Sequence, residues 1–175
     1  MAETNKNLWA PWRMVYIRSL SDQDQGGCFL CRYAACPEQD ATNHVIWRGP
    51  SCLTTFNTFP YSSGHLLVTP QAHLADIDDL DERTLHELMG QVKDAKRLLK
   101  EVVKAQGFNI GMNFGRCAGA GLPGHLHVHV VPRWEGDSNF MAVVGDVRIV
   151  SQSIDDLHAE MKRTAAEMGL PGIRV

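Results

Sequence analysis

No stretch of this 175-residue chain approaches the roughly 18 consecutive apolar residues that a membrane-spanning helix needs. Its start, Met1-Ala2-Glu3-Thr4-Asn5-Lys6-Asn7, is polar and lacks the apolar core of a secretory signal. Together these absences predict a soluble, unexported, cytoplasmic protein with no membrane partner. Basic blocks are missing too. Lys and Arg number 17 against 20 Asp and Glu, for a formal net charge of -3, and no Lys/Arg cluster is long enough to track a nucleic-acid backbone. That argues against a nucleic-acid polymer as partner but not against a small anion, because a few amides and side chains suffice to hold one phosphate. Cysteine is sparse and odd in number: Cys28, Cys31, Cys36, Cys52 and Cys117. In an unexported chain this argues against a disulfide framework and favours metal ligation or simple burial. Neither internal repeats nor low-complexity segments occur.

What is present is enough apolar material, 44% of the residues, for one ordinary core, so a single domain is expected. Residues 1–20, with Leu8, Trp9, Trp12, Tyr16 and Ile17, are too aromatic for a free tail and are expected to pack on the rest. Gly26-Gly27 leads into Cys28-Phe29-Leu30-Cys31, read as a knuckle followed by a polar loop. Residues 44–48 and 52–56, separated by Gly49-Pro50, read as strands, and 65–69 as a third, giving an antiparallel meander. Over 81–105, Leu85, Leu88, Met89, Val92, Leu99, Val102 and Val103 recur at helical spacing before Gly107. Strands are expected again at 108–113 and 126–131 around the small-residue loop 115–121. A second helix is expected over 153–168, where Ile154, Leu157, Met161, Ala165 and Met168 share a face ahead of Pro171-Gly172. A long helix inserted among strands without regular alternation favours an α+β fold.

The chemistry concentrates in His125-Leu126-His127-Val128-His129. Alternate side chains of a strand point the same way, so three imidazoles would line one face about 6.6 Å apart, while Leu126, Val128 and Val130 face the other. A solvated strand face is the plain alternative. Histidine is a poor strand former, however, and three in strict alternation directly after a glycine-rich loop are better explained by chemistry. A neutral imidazole is a competent nucleophile near pH 7, and the hydrogen bond at one ring nitrogen decides whether the other is available.

This pattern, with Val130-Val131 following, resembles the histidine-triad (HIT) superfamily. The upstream segments Phe56-Asn57, Gly64-His65-Leu66-Leu67-Val68 and Pro70-Gln71-Ala72-His73 resemble it as well, and so does Asn113 ahead of the loop. More narrowly, the run Leu8–Met14 and the segment Val131-Pro132-Arg133-Trp134 through Phe140 look like the diadenosine tetraphosphate phosphorylase and hydrolase branch. The resemblance implies a single HIT domain over 1–175. Within it, 1–43 would hold the aromatic segment and knuckle, 44–135 the core of about five antiparallel strands with one long helix packed on it, and 136–175 a C-terminal extension with a helix. It implies a homodimer that cleaves dinucleoside polyphosphates through a nucleotidyl-His127 intermediate, with phosphate or water as second acceptor.

His129 and the amides of Gly119, Ala120 and Gly121 would then hold phosphate oxygens. Asn57 would meet ribose hydroxyls, Asn113 the ribose-phosphate region and Trp134 the adenosine, and His65 would orient the triad from behind. Asparagine also commonly satisfies turn backbone, and Trp134 could equally be packing. Other triad branches carry Ser or Thr three positions before the first histidine, where this chain has Leu122. A Hint-type nucleoside phosphoramidase or general nucleotide hydrolase would use the same residues, and a non-catalytic nucleotide-binding module is the alternative of another class.

Cys28 and Cys31 have the spacing at which one turn presents two thiolates to zinc, although two buried thiols or a redox pair would look the same. In zinc-bearing members of the superfamily the set is completed by histidines at the positions of His73 and His125. Four protein ligands leave no open coordination position, so the implied zinc is structural.

Overall fold

The computed structural model describes residues 27–137 and 153–170, so the expectations for the aromatic segment at 1–20 and for residues 138–140 lie outside the described residues. Five strands form one antiparallel sheet: β1 (Val45–Arg48), β2 (Cys52–Phe56), β3 (Leu66–Pro70), β4 (Gly107–Met112) and β5 (Val128–Arg133), in the order β1-β2-β3-β5-β4. The first three are the expected meander. The β1–β2 turn closes through Gly49 N–H to Cys52 O at 2.8 Å, and the Glu87 carboxylate accepts from the Ser51 and Cys52 amides at 3.1 and 2.9 Å. A Cβ at position 49 would stand 2.2 Å from Glu87 Oε1, so glycine is what lets helix and turn approach this closely.

Helix α2 (Glu82–Val102) crosses the sheet and starts where the Asp81 side chain accepts from Thr84 N–H at 2.7 Å. Its buried residues are Leu88, Gln91, Val92, Asp94, Ala95, Leu98 and Leu99. The stripe is therefore rotated from the expected one: Met89 is exposed and Gln91 is buried. Gln91 is tolerated inside because Thr54 Oγ1 donates to its Oε1 at 2.9 Å and its Nε2 donates to Cys52 O at 3.0 Å. Leu66, Val68, Val128 and Val130 pack beneath this helix with Leu126, as the alternation over 126–130 predicts.

Helix α3 (Ile154–Glu167), capped by Ser153, adds Leu157, Met161 and Ala165 to the same core. His158 on its inner face donates from Nε2 to Val45 O at 3.0 Å, beside the rings of His44 and Phe56, while His44 meets Asp155 at 2.7 Å. Burial, more than the neighbouring charges of His44 and Lys162, pushes the His158 pKa down; the bond to Val45 and the Asp155 charge oppose this only in part. The unfolded chain therefore binds this proton more tightly than the folded one. Stability from neutral His158 is complete above about pH 6.5 and is lost as pH falls through the folded pKa. We expect the urea midpoint to fall between pH 7.5 and 5.5, and to fall less in His158→Gln. An equal fall in both proteins would remove His158 from the account.

The second face of the sheet carries helix α1 (Phe29–Ala35), whose Leu30 and Tyr33 pack on Val45 and Leu53. A polar loop was expected after the cysteines. Instead Cys28 is the N-cap and Cys31 lies one turn into the helix, because Leu30 and Tyr33 supply an apolar stripe that the sheet buries. Arg48 anchors the far end of this helix, donating to Ala34 O at 3.1 Å and to Tyr33 O while pairing with Asp40.

Candidate active site and metal centre

Strand β3 ends at Pro70, which has no N–H, and the site is built around that ending. Ladder pairing between β3 and β5 runs only from Leu66↔Val130 to Val68↔Val128. His125 and His127 therefore precede the regular strand, which begins two residues later than expected. The extended course continues because Leu126 N–H donates to Leu74 O at 2.6 Å and Thr69 Oγ1 donates to Leu126 O at 2.7 Å.

Each ring of the triad has a different partner. Fully buried His125 donates from Nε2 to Pro70 O at 2.9 Å, which puts its hydrogen there and leaves Nδ1 as a lone pair. That Nδ1 stands 3.1 Å from Cys28 Sγ and 3.4 Å from Cys31 Sγ. His127 does the reverse: its Nδ1–H donates to His125 O at 2.8 Å, so Nε2 keeps the lone pair. Burial drives the pKa of both rings down, only partly offset by these carbonyl bonds, and His127 is therefore neutral near pH 7.

His129 belongs to a relay. Tyr61 N–H donates to His65 Nδ1 at 3.0 Å, and Asn57 Nδ2 lies 3.3 Å from the same atom. The His65 hydrogen is thereby fixed on Nε2, which donates to His129 Nδ1 at 3.0 Å. His129 in turn carries its hydrogen on Nε2, 3.5 Å from Asn113 Nδ2, so the Asn113 amide must turn its oxygen toward the ring to accept from it. The His127 and His129 rings stand 4.9 Å apart, edge to face. A neutral nitrogen lone pair thus lies beside a ring N–H donor, the pairing that attack on an electrophile and support of the resulting oxyanion require.

The other expected contacts divide. The Asn57 amide is engaged in its own turn, since Oδ1 accepts from Phe59 N–H at 3.0 Å while Nδ2 faces His65. Gly119 N–H donates to Arg116 O at 3.0 Å and Ala120 N–H to Gly115 O at 3.3 Å, so two of the three amides considered as phosphate donors close the turn itself. Gly115 and Gly119, with φ of 75° and 84°, take the backbone conformation that this turn demands. Trp134 lies beyond the far end of β5, five residues from His129, and its Nε1–H donates to Val103 O at 3.0 Å on the C-terminal end of α2. Among the described residues, no hydrogen bond or ring contact joins that indole to the triad.

Sequence reasoning did not single out Tyr61, whose ring centroid is 4.6 Å from that of His65 and 5.7 Å from that of His129. Only the Pro60-Tyr61 turn signal was visible. The backbone acceptor at Pro70 was equally hidden, since a carbonyl leaves no trace in residue identity. Leu122, where other branches carry a hydroxyl, packs with Leu30, Tyr33, Val45 and Leu53 against α1.

Cys28, Cys31, His73 and His125 bring four ligand atoms within 4.8 Å of one another. His73 Nδ1 is 3.1 Å from Cys31 Sγ, and Gly124 lies against the other side of the ring, where a Cβ would sit in ordinary contact 3.4 Å from Nε2. Two thiols and two imidazoles form a donor set that suits zinc. Without a cation, burial and the neighbouring Cys28 push the Cys31 thiol up to about 11, the cost that a divalent ion at this point would offset.

Among the described residues, the five-stranded antiparallel sheet with three helices, and two imidazoles in complementary tautomers at the start of β5, define an α+β architecture of the histidine-triad kind. The chain belongs to the HIT domain family, whose profile matches residues 38–136. Among its relatives, the AP-4-A phosphorylase of Mycobacterium tuberculosis is 36% identical over 155 residues, covering 86% of this chain and 80% of that protein. The asymmetrical bis(5'-nucleosyl)-tetraphosphatase of Schizosaccharomyces pombe is 33% identical over 95 residues, covering 54% of this chain and 52% of that one. Among solved structures, a Zn-bound histidine triad family protein from Mycobacterium smegmatis superposes with a TM-score of 0.67 at 25% identity, covering 82% of this chain and 96% of that chain.

Proposed function

We propose that the protein is an enzyme that cleaves dinucleoside polyphosphates such as diadenosine tetraphosphate. The observation that carries this reading is the Nδ1–H bond from His127 to His125 O, which leaves Nε2 as a neutral nucleophile beside the Nε2–H of His129. The 36% identical phosphorylase and the 33% identical tetraphosphatase support this substrate class.

Nε2 of His127 attacks the α-phosphorus; a P–N bond forms, and the P–O bond to the remaining polyphosphate breaks. His129 donates to a non-bridging oxygen as charge builds there, and the Nδ1–H bond to His125 O steadies the positive imidazole of the intermediate. An acceptor oxygen then attacks phosphorus, loses its proton and returns the P–N electron pair to Nε2. From diadenosine tetraphosphate the first step releases ATP; the second yields ADP with inorganic phosphate or AMP with water. Asn113 and the amide of Gly121 are assigned to the ribose-phosphate region. Asn57 and His65 serve by fixing the relay behind His129.

Cys28, Cys31, His73 and His125 would hold a structural zinc, which when bound cross-links α1 to the catalytic segment and leaves His127 to react. The homodimer expected from the family belongs to the same reading. Among the described residues no helix is long and apolar enough to cross a membrane. The test is incubation with diadenosine tetraphosphate with and without inorganic phosphate. Phosphate-dependent ATP and ADP support the phosphorylase, and ATP with AMP supports the hydrolase. Inertness toward the dinucleotide together with turnover of a nucleoside phosphoramidate would replace both with the Hint-type activity.

A further inference from the structure

We propose that Tyr61 is a positioning residue of this site, holding His129 in the orientation and tautomer that make it a phosphate donor; the proposal rests on the reading of His129 just given. The turn between β2 and β3 brings Tyr61 against the relay in two ways. Its backbone N–H fixes the hydrogen of His65 on Nε2. Its ring lies 5.7 Å from that of His129 at an interplanar angle of 25°, stacked, and tilts at 42° over His65 at 4.6 Å. The turn itself is held to β5, because Ser62 Oγ donates to Pro132 O at 3.0 Å, and Gly64 takes a φ of 81° with its Cα facing Leu99 closely enough that a Cβ would stand 3.0 Å from Leu99 Cδ2. The phenol ring is therefore anchored independently of its own side-chain contacts.

His129 is bounded by His65 through a hydrogen bond, by His127 edge-on and by Tyr61 along a ring face. A ring face in that position blocks rotation of the imidazole about χ2, which would exchange Nδ1 with Cδ2 and Nε2 with Cε1 and break the bond from His65. The restraint keeps Nε2–H aimed where charge develops on a phosphate oxygen, so it acts on the transition state more than on the bound nucleotide. A phenylalanine would provide it; an aliphatic side chain would not.

The test compares Tyr61→Phe with Tyr61→Leu, and Tyr61→Met replaces the leucine variant if that fails to fold by thermal melting. Histidine 15N spectra of the free protein read the tautomer without any substrate. Wild type and Tyr61→Phe should show His129 as a single Nε2–H tautomer, and Tyr61→Leu a mixture. In turnover, Tyr61→Phe should stay within about twofold of wild type, whereas Tyr61→Leu should lose about tenfold in kcat with KM nearly unchanged. Unchanged tautomer and kcat in Tyr61→Leu would overturn the proposal. A loss carried by KM alone would do so too, by making Tyr61 a nucleoside contact, as would a loss in Tyr61→Phe as large as in Tyr61→Leu, by assigning the effect to the hydroxyl. If wild type itself does not cleave dinucleoside polyphosphates, the functional reading fails, and the spectra still decide the positioning claim.

Discussion

His127→Asn should lose turnover of diadenosine tetraphosphate by about four orders of magnitude or more, the scale on which covalent catalysis depends on its nucleophile. Asparagine preserves a side-chain donor toward His125 O but offers no basic nitrogen where Nε2 stands. The fold should survive, because His127 is held by one backbone carbonyl while Leu126 and Val128 on either side carry the core packing. Nucleotide affinity should stay within a few-fold of wild type by calorimetry. His129→Asn should be milder, about 100- to 1,000-fold in kcat, since it removes one oxyanion donor and leaves the nucleophile in place. Equal losses in the two variants would mean that the two imidazoles do not have separate roles.

The second large effect is expected at the metal site. Cys28→Ser, or treatment of the purified protein with a strong chelator, should release about one zinc per chain and lower stability by roughly 3–5 kcal/mol. For a chain of this length that corresponds to a melting temperature lower by about 10 °C. The coupling to activity follows from His125 alone. Its Nδ1 faces the thiols, its Nε2 is tied to Pro70 O, and its own carbonyl holds the hydrogen of His127. Loosening the metal therefore loosens the group that sets the nucleophile's tautomer, and kcat should fall with stability. Leu122 adds a second link, since the loop that leads into the triad packs on the helix bearing the cysteines. Elemental analysis with differential scanning calorimetry checks this. A metal-free protein with unchanged melting temperature would remove zinc from the account.

How far the sequence can be read depends on whether side-chain identity or backbone geometry carries the information. The alternation over 125–130 puts Leu126, Val128 and Val130 in the core and the histidines on the reactive side, and it is legible because a two-residue period is a property of side chains. The four candidate metal ligands are legible through spacing and family resemblance, and they do converge. The start of β5 at Val128 is not legible, because it depends on Pro70 ending the ladder and on Leu74 supplying a carbonyl instead. The helix α2 stripe differs from the periodic one at Met89 and Gln91, since helical periodicity counts apolar residues and Gln91 is buried with a specific bond to Thr54. The loop amides of Gly119 and Ala120 look like phosphate donors by composition, yet the turn that glycine permits draws both inward. Tyr61 escaped notice because its contribution is a ring face toward residues four and 68 positions away in sequence.

The central claim is that a covalent bond forms at Nε2 of His127. A P–N bond is labile in acid and survives base, so the direct measurement is alkaline quenching within the first turnover of diadenosine tetraphosphate, followed by intact and peptide mass spectrometry. The account predicts one adenylyl group per active chain, located on His127, absent from His127→Asn and discharged by phosphate or water. An adduct on another residue, or turnover with no adduct and inversion at the α-phosphorus, would contradict it.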